Sequence, residues 1–79
     1  MYGVRVNDEV QEYVRGLSAT IYREITRCIL SLPDDPEMGE PIPGASDDDR
    51  RIKLPSGYII LYTLDEVEEM ITVYVVAKL

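Results

Sequence analysis

No histidine occurs among the 79 residues, and that absence removes the commonest acid/base side chain together with the commonest metal ligand. A Ser-His-Asp triad, a Cys-His pair and a Cys/His zinc site are excluded. Cysteine is nearly as scarce. Cys28 stands alone, so no disulfide framework exists, and its apolar surroundings mark a packed core thiol rather than a nucleophile. No apolar run approaches the roughly 20 residues that span a bilayer, and the opening MYGVRVNDEV has no signal-peptide core. These features predict a cytoplasmic chain without membrane attachment. No phosphate loop or dinucleotide motif is present, and neither a cofactor nor a metal is expected. Positive charge is short as well: Lys and Arg total 8 against 15 Asp and Glu, for a net charge of −7. Any contact with nucleic acid must therefore be local.

What is present reads as one globular domain spanning residues 1 to 79, with 46% hydrophobic and 29% charged residues. A domain this small buries only roughly 60 to 65% of its unfolded surface, so its stability is modest and a partner or a second copy would add to it. Tyr2 to Val6 alternates as a short strand and stops at Asn7 and Asp8. Asp8 and Gln11 have the form of a capping box, followed by Val10, Tyr13, Val14 and Leu17 at helical spacing. Ser18 is the expected N-cap of a second helix whose stripe is Ile21, Ile25, Cys28, Ile29 and Leu32, and Pro33 ends it. Residues 33 to 49, PDDPEMGEPIPGASDDD, hold four prolines, two glycines and seven acidic residues and read as a long loop. The Asp47, Asp48, Asp49 run lacks the spacing of a calcium loop and reads as a solvated charge run.

The chain is organised around RRIKLPSGYIILYTL, residues 50 to 64, and MITVYVVAKL at the C-terminal end. Both are rich in β-branched and aromatic residues, which predicts strands at about 50–54, 58–64 and 70–77. The expected fold is α+β: an antiparallel four-stranded sheet with a two-helix hairpin on one face, in the order β-α-α-β-β-β. The N-terminal strand lies beside the C-terminal one, with 58–64 next and 50–54 at the far edge. Alternation then places Ile52, Ile60, Val73 and Val75 under the helices. The open face holds Arg51, Lys53, Ile59, Leu61, Tyr74, Val76 and Lys78. Ile59, Leu61, Tyr74 and Val76 form an apolar patch rimmed by three cations, the arrangement of a partner-binding surface.

Nearly the whole chain resembles the RelE/ParE superfamily of bacterial type II toxins. The resemblance rests on the strand, helix, helix, three-strand order, on LPDDP and GEPIPG, on RRIKLPSGYIILY and on the hydrophobic last strand ITVYVVAK. The segment IKLPSGYIILY is similar to the RelE branch, whose equivalent runs basic, Ile, Lys, Leu, turn, Gly, Tyr, Arg, apolar, apolar, Tyr. The resemblance implies a toxin of a type II toxin-antitoxin system with a cognate antitoxin, and, for the ribosome-dependent members, cleavage of mRNA by an activated 2′-hydroxyl. It assigns Arg51 and Lys53 to the family's basic pair and Lys78 to its basic residues after the last strand, as candidate catalytic residues. Lys53 serves either as a base held neutral by neighbouring cations or as an electrostatic clamp. Ile59 stands where the family motif has Arg, and Leu79 precedes the tail that carries further Arg and Tyr or His. These departures imply an endoribonuclease of weakened or lost catalysis. The alternatives within the same fold are a ParE-like inhibitor of DNA gyrase and a catalytically silent binding module or homodimer.

Overall fold

The computed structural model describes all residues, Met1–Leu79, as five strands, two α-helices and one 3-10 turn. In chain order these are β1 (Gly3–Val6), α1 (Asp8–Arg15), α2 (Ala19–Ser31), the turn Leu32–Asp34, β2 (Glu40–Pro41), β3 (Asp49–Lys53), β4 (Tyr58–Asp65) and β5 (Met70–Lys78). No helix is long and apolar enough to cross a membrane. The sheet order is β1-β5-β4-β3-β2. The neighbour order expected from the sequence holds for β1, β5, β4 and β3, but two features correct the expected four-stranded antiparallel sheet. β1 pairs with β5 in parallel, because the chain leaves β1 through both helices and can return to the sheet in any direction, as parallel pairing requires. A fifth strand, β2, pairs with β3 inside the expected loop. It is two residues long and contains Pro41, which an edge strand tolerates because its missing N–H leaves no ladder partner unserved.

The helices begin largely as their residues dictate. Ser18 caps α2, its hydroxyl accepting from the Ile21 amide at 3.4 Å. At α1 the expected capping box is not formed. Asn7 is the capping residue and Asp8 the first helical one, and Gln11 reaches back to donate from Nε2 to the Val6 carbonyl at 3.0 Å. The core lies between the two helices and one face of the sheet. Val10 and Val14 of α1, Ile25 and Ile29 of α2, and Leu32 meet Ile60, Tyr62, Leu64, Ile71, Val73 and Val76. Cys28 packs against this cluster, and burial with the nearby Glu24 carboxylate pushes its thiol up, away from a reactive thiolate.

One irregularity decides which residues face out. β4 and β5 pair without interruption from Tyr58↔Lys78 to Leu61↔Val75, and then the register shifts so that Tyr62 faces Val73. Tyr74 is the extra residue of a β-bulge. Buried Val73 and Val76 therefore bracket two consecutive half-buried residues, Tyr74 and Val75, where strict alternation would allow only one. Beyond the bulge the parity of β5 is reversed. Val76 enters the core and Val75 turns outward.

Candidate functional site

The open face is assembled by the turn that joins β3 to β4. Leu54 and Tyr58 close it, with the Leu54 amide donating to the Tyr58 carbonyl at 2.8 Å and the Gly57 amide to the Leu54 carbonyl at 3.0 Å. Gly57 has φ of 94°, a left-handed conformation in which a side chain is strained. The Ser56 hydroxyl ties the turn to Glu24 of α2. Loop length fixes register, so Lys53 lies opposite Ile59 and Arg51 opposite Leu61. On the next strand Ile59 faces Ala77 and Leu61 faces Val75. The open face thus carries Arg51 and Lys53 beside Ile59, Leu61, Tyr74, Val75 and Ala77.

Five of the seven residues expected on this face occupy it: Arg51, Lys53, Ile59, Leu61 and Tyr74. Val76 and Lys78 do not, because the bulge reverses parity. Val76 is buried in the core. Lys78 sits opposite Tyr58, which packs against the core on the helix side, and its Nζ lies 5.8 Å from the Tyr58 ring centroid, at the outer reach of a cation–π contact. Arg51 and Lys53 come together, and Lys78 joins neither. Tyr74 is half-buried, and that burial, with the Asp49 carboxylate adding, pushes its phenol up.

No pattern in the sequence marks the group that binds the basic pair. Glu40 lies opposite Arg51 in the β2–β3 register. One of its oxygens, Oε1, accepts from Arg51 Nε at 2.7 Å and lies 3.7 Å from Lys53 Nζ. The hydrogen bond from Arg51 lowers the Glu40 carboxyl most and the Arg51 charge next; desolvation opposes them, and the lesser contributions of Lys53 act with Arg51. A carboxyl lowered in the folded state stabilises the fold above its unfolded value and loses that contribution as pH falls through the folded one. Glu40 is therefore ionised and paired throughout the neutral range.

The backbone carrying Glu40 is clamped from below. Tyr62, fully buried in β4, donates from its hydroxyl to the Pro36 carbonyl at 2.8 Å and accepts from the Gly39 amide at 2.9 Å. Burial pushes the Tyr62 phenol up, which keeps the proton it donates. Arg50 Nη1 donates to the Gly39 carbonyl at 2.5 Å and the Glu37 carbonyl at 3.3 Å. A Cβ on Gly39 would stand 2.8 Å from the Arg51 carbonyl oxygen and 2.8 Å from the Tyr62 hydroxyl, so glycine is required for this approach. Tyr62→Phe strands the Gly39 N–H and the Pro36 C=O and is expected to cost about 1–3 kcal/mol. Urea unfolding checks it, and unchanged stability would show that the clamp is dispensable.

The sequence matches no protein-family model and no curated protein. Its fold, however, is shared in full with solved toxins. An isolated Escherichia coli RelE toxin superposes with a TM-score of 0.84 at 20% identity, over 99% of this chain and 84% of that one. The chain has the RelE toxin fold. The same RelE fold appears in the toxin-antitoxin complex RelBE2 from Mycobacterium tuberculosis, with a TM-score of 0.84 at 18% identity over 99% and 98% of the two chains. It appears again in an archaeal RelE-RelB complex from Pyrococcus horikoshii, with a TM-score of 0.79 at 18% identity over 98% and 93%.

Proposed function

We propose that this protein is a RelE-type toxin that works in the cytoplasm at the ribosome, as an attenuated mRNA interferase, and that a RelB-type antitoxin is its natural partner. The observation that carries this reading is the pairing of Arg51 and Lys53 on the open face of a RelE fold, Arg51 two residues inward of Lys53 on the same side of β3. The 2′-hydroxyl of the RNA attacks the adjacent phosphorus, the P–O5′ bond breaks, and the products are a 2′,3′-cyclic phosphate and a 5′-hydroxyl. Arg51 and Lys53 stabilise the charge that builds on the phosphorane and on the departing oxygen, while water or the ribosomal surroundings accept and return the proton. Attenuation follows from two neighbours. Ile59 places an alkyl group where a third cation would act, and Glu40 neutralises part of the pair.

A second reading, a binding module without cleavage, draws on the same two residues and on the apolar strip of Ile59, Leu61, Tyr74 and Val75. The two separate in cells. Induced expression is expected to arrest bacterial growth, Arg51→Ala and Lys53→Ala to relieve the arrest, and a co-expressed RelB-type antitoxin to relieve it with the wild-type chain. Arrest that persists in both variants would contradict the interferase reading.

A further inference from the structure

Glu40 presents an anion to the two cations that the proposed function assigns to RNA phosphate. One carboxylate oxygen, Oε1, lies 2.7 Å from Arg51 and 3.7 Å from Lys53, the place a bridging phosphate oxygen would take between them. The carboxylate is delivered by backbone, not by a flexible loop. β2 pairs with β3 through Glu40↔Arg51 and Pro41↔Arg50, and the Tyr62 hydroxyl and Arg50 guanidinium hold Gly39 just before it. Yet the Glu40 side chain itself is 52% exposed, which leaves room for it to rotate off the pair. A paired tether, an exposed carboxylate and two cations together make a competitor for an incoming anion.

We propose that Glu40 is an intramolecular phosphate competitor that gates the Arg51–Lys53 pair, so that RNA gains the site only by displacing it. The gate rests on the assignment of that pair to RNA phosphate. An exposed ion pair is weak, and removing it changes an equilibrium constant by about fivefold at most. The gate therefore attenuates binding without closing the site. It also reduces the number of cations available to release counterions. For single-stranded RNA the salt slope is about 0.7 per phosphate contact, and the gate is expected to suppress part of it.

The test is fluorescence anisotropy of a labelled single-stranded oligouridylate with the full chain, titrated at several salt concentrations. Glu40→Gln keeps the side chain's shape and removes its charge at an exposed position, and a thermal melt verifies the fold of each variant. Glu40→Gln is expected to bind about fivefold more tightly than wild type, with a steeper salt dependence. Adding Arg51→Ala to Glu40→Gln is expected to abolish that gain. Equal or weaker binding by Glu40→Gln, with Arg51→Ala and Lys53→Ala both weakening it, overturns the gate and leaves the phosphate site standing. Binding indifferent to Arg51→Ala and Lys53→Ala overturns the phosphate site and the gate with it.

Discussion

On the proposed function, Arg51→Ala and Lys53→Ala are each expected to slow ribosome-dependent cleavage by about 100-fold or more, the usual consequence of removing one preorganised group that stabilises transition-state charge. The side chains of Arg51 and Lys53 are 31% and 58% exposed, so neither truncation opens a cavity, and both variants fold. With Glu40 withdrawing part of the positive potential and Ile59 supplying none, each remaining cation carries a larger share of the stabilisation. The losses are expected to be less than additive in the double variant, because the two groups act on one phosphate. Lys78→Ala has a smaller effect, since that ammonium lies on the helix side with Tyr58. Single-turnover cleavage on programmed ribosomes measures all four rates. Equal losses from Lys78→Ala and Lys53→Ala would contradict the two-sided arrangement of the sheet.

Ile60→Ala is expected to destabilise the fold by about 2–5 kcal/mol, through lost transfer energy and the cavity left behind. Ile60 is fully buried at the centre of the sheet, facing Ile52 on β3 and Val76 on β5. In a domain of this size the loss is a large fraction of a total of about 5–15 kcal/mol. Its chain neighbour Ile59 points the other way and is only half-buried. Ile59→Ala is therefore expected to cost less than half as much. Urea unfolding of the two variants compares the faces directly. Similar losses would mean that the open face is covered rather than free.

Much of this architecture is written in local pattern. The alternation of β4 separates Ile60, Tyr62 and Leu64 from Ile59, Leu61 and Thr63, and the spacing of Ile25 and Ile29 marks the buried stripe of α2, because burial on one side leaves a periodic trace in sequence. The turn at Pro55 to Gly57 fixes the register that sets Arg51 and Lys53 on the open face. The last strand carries no such trace. ITVYVVAK is apolar at nearly every position, so a one-residue bulge at Tyr74 shifts Val76 and Lys78 across the sheet without altering the visible pattern. Glu40 was illegible for another reason. It pairs with Arg51 across eleven residues of chain, within a stretch rich in Pro, Gly and Asp, and only the tertiary clamp of Tyr62 and Arg50 settles that register.

The RelE fold accounts for the direction of the chain and for the two-faced sheet, while the chemistry rests on side chains particular to this sequence. An acidic chain with one compact basic pair suits a target that is itself the scaffold. On the proposed function, the ribosome would hold the mRNA and this chain would supply only local positive charge at one phosphate. Glu40 apart, the acidic residues of the sheet lie at its other end. Asp49 begins β3, and Asp65, Glu66, Glu68 and Glu69 lie at the β4–β5 turn, so their repulsion is kept away from the Arg51–Lys53 pair.

The most direct test of the central claim is primer-extension mapping of an mRNA in a reconstituted translation system, with wild-type protein and with Lys53→Ala. New 5′ ends that require ribosomes and disappear in Lys53→Ala are the predicted result. An mRNA left intact by folded wild-type protein in excess over ribosomes would contradict it.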